Sequence, residues 1–205
     1  MAVLYTTVAK EARAEQIIER SRFIATIKPV QSRAEAEAFF KSVREEFRDA
    51  THNVPAFVLG ERMQDQWGSD DGEPGGTAGT PIAAYLAKEG VTNVAIVVTR
   101  YFGGIKLGTG GLVRAYTSSA RLAVQAAGKL DVCLRVELET QIDYSMLGKV
   151  KNYELSMPFK IEDLGYTDVV KLRISFAPED EGSIMAMLSD LCSGDVKIIS
   201  RVSNY

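Results

Sequence analysis

Apolar positions along this chain recur in two rhythms, and their order changes near residue 132. In the first stretch, residues 4–8 and 14–19 read as short strands, 22–27 alternates β-branched and aromatic side chains with polar ones, and Pro29 is expected to end this third strand. Ser32 followed by Glu35 reads as a capping box. Ala36, Phe39, Phe40, Val43 and Phe47 then recur at helical spacing and predict an amphipathic helix over 33–48. A strand over 53–59 is closed by Gly60, and a polar stretch over 61–80 reads as one long loop. Its Trp67 argues for a loop anchored to the body of the domain. Pro81 suits the first turn of a short helix over 82–88. The apolar run 94–98 is a strand. The helix after it lasts to about Gly128, with Val113, Tyr116, Ala120, Ala123, Val124 and Ala127 facing inward and Arg114, Thr117, Ser118, Arg121 and Gln125 facing out.

Beyond 132 the pattern predicts a strand over 134–142 and a helix over 146–155. A hairpin of 159–164 and 169–176 follows, then a helix over 178–191 and a strand over 196–202. That βαββαβ order is the ferredoxin-like split motif. Nothing in it resembles an active site, and the fold by itself says little about function. The expected fold class is therefore α+β in two domains, 1–131 and 132–205.

Composition narrows the class. With 46% hydrophobic residues in 205, the chain has material for real cores. No apolar run approaches the ~20 residues that span a bilayer, and Met1–Thr7 lacks the features of a signal peptide. A cytoplasmic protein with no membrane partner is expected. Cys133 and Cys192 have no metal or redox spacing and read as reduced, buried thiols. The net charge of −3 hides an asymmetry: 16 basic and 15 acidic residues through Val132, 8 and 12 after it. Any polyanion should meet the first domain.

The chemistry concentrates at the junction over 97–116. It holds Gly103, Gly104, Gly108, Gly110 and Gly111 between a strand and a helix, and no Asp or Glu occurs from Gly90 through Leu130. Glycines let the backbone come close to a partner, and a helix start presents unpaired N–H groups to an anion. Arg100, Lys106, Arg114 and Arg121 add positive charge, and Thr109 lies among the glycines. The junction is neither a P-loop, since Thr109 stands where Lys is needed, nor a dinucleotide turn, since Val113 stands where glycine is needed. Asp70, Asp71 and Glu73 offer oxygen ligands but lack calcium-loop spacing. They are expected to face the junction and pair with Arg100, Arg114 or backbone amides, with no metal. His52, the sole histidine, lacks a nucleophile partner and reads as a structural hydrogen-bonding group.

Ser21-Arg22-Phe23-Ile24, Ser69-Asp70-Asp71-Gly72-Glu73-Pro74 with Gly76-Thr77-Ala78-Gly79, and Val98-Thr99-Arg100-Tyr101-Phe102-Gly103-Gly104 with Leu107-Gly108-Thr109-Gly110-Gly111-Leu112-Val113-Arg114-Ala115-Tyr116 resemble the IMPACT/YigZ family in its bacterial two-domain form. The resemblance implies a first domain like the second domain of ribosomal small-subunit protein five. It implies a second like the C-terminal domains of elongation factor G. Both relatives work on RNA. By family motif, Arg100, Gly103, Gly104, Gly108, Gly110, Gly111 and Arg114 carry over as binding candidates, with Asp70, Asp71 and Glu73 facing them. The expected role is non-enzymatic, without a cofactor: a translation-associated regulator whose basic segment binds RNA or the ribosome, and whose second domain docks on a protein partner. Two rivals stand beside it. One is an enzyme or nucleotide-binding protein acting on a phosphorylated small molecule, as in kinases that share the first-domain topology. The other is a protein–protein regulator in which the motif is purely structural.

Overall fold

The computed structural model describes residues 3–204, the last by its backbone alone. It divides into two compact units, one of residues 5–131 and one of residues from 132 onward together with 3 and 4.

The first unit is built on a five-stranded antiparallel sheet. Its strands are β2 (Ala12–Ile18), β3 (Ser21–Pro29), β4 (His52–Leu59), β5 (Asp65–Gly68) and β6 (Val94–Tyr101), in the order β2-β3-β6-β4-β5. Helices cover both faces. Helix α1 (Arg33–Glu46) packs Ala36, Phe39 and Val43 against Phe57, Leu59, Ala95 and Val97. On the other face α2 (Gly79–Lys88) and α3 (Gly108–Ala127) bury Ile82, Leu86, Tyr116 and Ala120 against Phe23, Val54, Ile96 and Val98. Because both faces of β6 are covered, its residues 94–98 read as an unbroken apolar run. Successive residues still point to opposite sides, so Ile96, Val98 and then Arg100 point toward α3, as do Phe23 on β3 and Val54 on β4. Strand β1 (Val3–Val8) pairs with β7 (Lys129–Cys133), a strand the periodicity does not announce.

Most elements match their sequence patterns, and the departures have local causes. The Ser32 hydroxyl accepts the Glu35 N–H at 3.2 Å, while the Glu35 carboxylate accepts the N–H of Gln31 at 2.9 Å, not that of Ser32. The stretch 61–80 is not all loop. Its residues 65–68 form β5, where Trp67 stacks on Phe57 at 5.7 Å and on Phe40 at 6.1 Å. Polar neighbours hide this edge strand, because one side of it meets water. Helix α2 begins at Gly79 rather than at 82. On α3 the buried face runs through Leu112, Ala115, Tyr116, Ser119, Ala120 and Ala123, leaving Val113 half-exposed. Alanines and a serine let this helix lie close to the sheet.

The second unit contains β8 (Arg135–Ile142), α4 (Tyr144–Glu154), β9 (Phe159–Tyr166), β10 (Val170–Phe176), a 3₁₀ turn at Pro178–Asp180, α5 (Glu181–Leu191) and β11 (Lys197–Asn204). Its antiparallel sheet has the order β11-β8-β10-β9, the ferredoxin-like arrangement. Val136, Leu138, Leu172 and Ile174 pack under Val150, Ile184 and Leu188 of the helices. Cys133 and Cys192 are unpaired and half-buried, not fully buried. No described helix is long and apolar enough to cross a membrane.

Candidate nucleic-acid interface

The junction predicted from the sequence lies at the end of the first unit's sheet where β3 begins and β6 ends. The register sets Phe23, Arg100 and His52 side by side on three adjacent strands. Arg100 is buried there. Its Nη1 donates to Glu73 Oε1 at 2.7 Å, its Nη2 donates to Ser21 Oγ at 3.3 Å, and its guanidinium lies 5.4 Å from the ring centres of both Phe23 and Phe102. The same Glu73 oxygen accepts the Tyr116 hydroxyl from α3 at 2.6 Å, and His52 Nε2 stands 3.8 Å from it. His52 Nδ1 is 2.7 Å from the Asp71 carbonyl oxygen, which can only accept, so Nδ1 carries the proton. Burial, and then the bond to Glu73, push the Tyr116 hydroxyl far above its ordinary pKa. This is a carboxylate whose bonds are spent on holding an arginine, a tyrosine and a loop together.

The acidic loop therefore does not face the junction as one surface, as its sequence led us to expect. Only Glu73 turns to Arg100. Asp70 accepts the N–H groups of Gly76, Ala78 and Gly79 at 2.7, 3.0 and 2.9 Å, which closes the loop and satisfies the start of α2. Burial raises the Asp70 carboxyl and those three bonds lower it further, leaving it below its usual range. Asp71 binds the Asn53 N–H at 2.6 Å and Arg44 at 2.6 Å, away from the glycines. The three carboxylates are divided among different partners, and among the described residues no cluster of metal-ligating side chains forms.

The glycines have distinct tasks. A side chain at Gly103 would run into the Arg20 carbonyl group in the turn between β2 and β3, so this glycine lets the hairpin and the junction touch. Gly104 and Gly108 have φ of +85° and +69°, the left-handed region that glycine adopts freely. Gly110 and Gly111 lie in the first turn of α3, which has no side-chain cap and no acidic residue. The N–H groups there stay available to an anion. Lys106 and Arg114 are exposed, and neither meets a carboxylate among the described residues. Arg114 Nη1 would lie 3.7 Å from a Cβ at Gly110, so its guanidinium reaches back over the first turn. Arg121 lies on the same helix about 20 Å from its start, by the rise of 1.5 Å per residue, and belongs to a different part of the surface.

Of the sequence candidates, the structure brings together Lys106, Gly108, Thr109, Gly110, Gly111 and Arg114 around the start of α3. It withdraws Arg100 into the interior, where a surface phosphate does not reach a free guanidinium. A pocket of about 350 Å³ beside the α3 start is lined by Glu73, Arg100, Phe102, Lys106, Thr109 and Leu112. A second depression, of about 480 Å³, is lined by Glu19, Lys106, Leu107, Arg114 and Ser118. Sequence reading missed Ser21 and Tyr116 as partners in the buried network, whereas His52, read as a structural hydrogen-bonding group, bonds the Asp71 carbonyl beside it. The alternation along 96, 98 and 100 carried part of the signal, since it points Arg100 toward the helix and so toward Tyr116.

Comparison with known proteins gives a consistent picture. The Impact N-terminal domain matches residues 19–124, and a domain of unknown function, DUF1949, matches residues 140–195. IMPACT family member YvyE of Bacillus subtilis (strain 168) is 36% identical over 195 residues, covering 94% of this chain and 90% of that protein. IMPACT family member YigZ of Escherichia coli (strain K12) is 35% identical over 185 residues, covering 89% and 91%. A solved structure described as the crystal structure of an hypothetical protein is 33% identical, covers 96% of each chain and superposes with a TM-score of 0.61.

Proposed function

The chain belongs to the IMPACT family, and from that membership we propose that it is a non-enzymatic, translation-associated regulator that holds RNA phosphates on the surface around the start of α3. One observation carries the reading. The first turn of α3 is uncapped and acid-free, and it lies between two exposed cations, Lys106 and Arg114, that no described carboxylate neutralises. Backbone N–H groups at a helix start favour an anion electrostatically and by hydrogen bonding. Flexible cations beside them suit a repeating phosphate chain and carry no sequence information. Arg100 serves this surface indirectly. By tying β6 to Glu73 and Tyr116 it positions the loop from which Lys106 projects.

Affinity of this kind falls with salt, because each neutralised phosphate releases a counterion. The test is a salt titration of single-stranded ribosomal RNA fragments against the full chain. Lys106→Ala and Arg114→Ala are each expected to weaken binding and to flatten the slope of log K against log salt by about 0.7. Unchanged slopes in both variants, or no RNA binding at low salt, overturn the reading. A thermal shift produced by a nucleoside triphosphate with Mg²⁺, in the absence of RNA binding, would favour an enzyme of phosphorylated small molecules instead.

A further inference from the structure

The connection from β6 to α3 is unusually apolar for a surface loop. Phe102 is 47% exposed, Ile105 and Leu107 are half-exposed, and Phe102 and Ile105 join none of the described cores. These side chains wall two adjoining depressions. In the one of about 350 Å³ the apolar walls are Pro74, Phe102, Leu107 and Leu112. In the one of about 480 Å³ they are Ile18, Ile105, Leu107 and Ala115. Leu107 is common to both, so the two form one apolar groove beside α3. Apolar surface gathered in one exposed place marks contact with another molecule. The groove also carries positive charge. Glu73 is spent on Arg100 at 2.7 Å, which leaves Lys106 as the free charge of the first depression. In the second, a single carboxylate, Glu19, stands against Lys106 and Arg114.

We infer that this groove seats an acidic segment of a partner protein, with one large apolar side chain in each depression and carboxylates against Lys106 and Arg114. RNA satisfies only part of this surface. Its phosphates suit the cations, but bases are gripped by stacking on aromatic faces. Of the walls only Phe102 has such a face. Pro74, Leu107, Leu112, Ile18 and Ile105 have none, and aliphatic walls match the aliphatic and aromatic side chains of a protein. In contacts of this kind a few apolar anchors in pockets carry most of the binding energy, while charges at the rim speed the encounter and reject wrong partners. Cations at this rim select an acidic partner. The inference stands on the apolar walls and does not require the RNA reading. Both occupants engage Lys106 and Arg114, so the segment and RNA exclude one another, and such a partner controls access to the phosphate surface.

The test measures fluorescently labelled acidic peptides binding to the full chain by anisotropy. Each peptide carries two leucines in a background of aspartate and glutamate, set two positions apart for an extended segment or three or four apart for a helical one. Each has a control with serines in place of the leucines and the same charge. One leucine peptide is expected to bind about tenfold tighter than its control, and its spacing identifies the conformation seated. Phe102→Ser and Ile105→Ser should each reduce that advantage severalfold and leave the control's binding unchanged. Arg114→Ala should weaken peptide and control by a similar factor. Circular dichroism of each variant checks that the fold is retained, and Ile105→Ala serves as a milder second variant. Equal binding of every leucine peptide and its control overturns the inference, as does an advantage that survives both Phe102→Ser and Ile105→Ser, or no binding by any peptide. None of these results touches the RNA reading, which its own salt titration decides. A leucine peptide that binds but fails to displace bound RNA overturns the shared site.

Discussion

Arg100 and Glu73 meet at 2.7 Å inside the first unit, with side chains only 5% and 3% exposed, although 27 residues separate them in sequence. The pair links the end of β6 to the loop that precedes α2, and Tyr116 ties α3 to the same oxygen. Removing one partner of such a pair leaves the other as an uncompensated buried charge. Glu73→Ala should therefore destabilise the first unit by about 3–5 kcal/mol, read as a shift of the urea midpoint. A loss within about 0.5 kcal/mol would show that the pair is not a structural tie.

Tyr116→Phe keeps the ring, which meets Phe23 edge-on at 5.4 Å, and deletes only the hydroxyl. A hydrogen bond to a charged acceptor is worth about 2 kcal/mol, and that loss is expected at neutral pH. Because burial and Glu73 raise the Tyr116 pKa, its contribution is fully present below the ordinary tyrosine value of 10.0 and declines as pH rises beyond it. In an alkaline absorbance titration, the phenolate signal of Tyr116 should appear only with unfolding. The Phe variant should match the parent before the transition and fall short after it.

Asp70 predicts an acid effect of opposite sign. Its carboxyl is held below the ordinary value of 3.8 in the folded protein, so its contribution is present above that value and fades as pH falls through the folded pKa. Asp70→Ala should cost about 1 kcal/mol near pH 7, the usual loss for a helix-start acceptor. The gap between parent and variant should narrow toward about pH 2. A gap independent of pH would mean that the charge contributes nothing.

Two glycines of the junction should respond differently to the same substitution. Gly103→Ala places a methyl group on the Arg20 carbonyl, backbone against backbone, and should cost about 3 kcal/mol or prevent folding. Gly110→Ala meets nothing closer than Arg114 Nη1 at 3.7 Å and should stabilise α3 by about 0.5 kcal/mol. Thermal denaturation of the two variants distinguishes a glycine needed for close approach from one the helix merely tolerates.

Local physics made most of the fold legible. Period-two and helical rhythms placed α1, β4, β6, α3 and the βαββαβ order of the second unit, because burying one face of an element imposes its own spacing on the chain. The glycines and the acid-free span from 90 to 130 marked the junction for a similarly local reason. Strand β5 escaped notice since an exposed edge needs little apolar alternation, and β7 since its pairing with β1 lies outside the main sheet. The site divided along the same line. That Arg100 is basic and near a helix start is written in the chain. That it is buried, with Glu73 and Tyr116 as its partners, depends on contacts across 27 and 43 residues from Glu73, which no spacing rule encodes. Local spacing and composition along the chain set which elements form and where positive charge gathers. Which cations stay free was settled in the folded molecule, because a charge is paired or exposed according to what packs against it, and packing is a property of the folded whole.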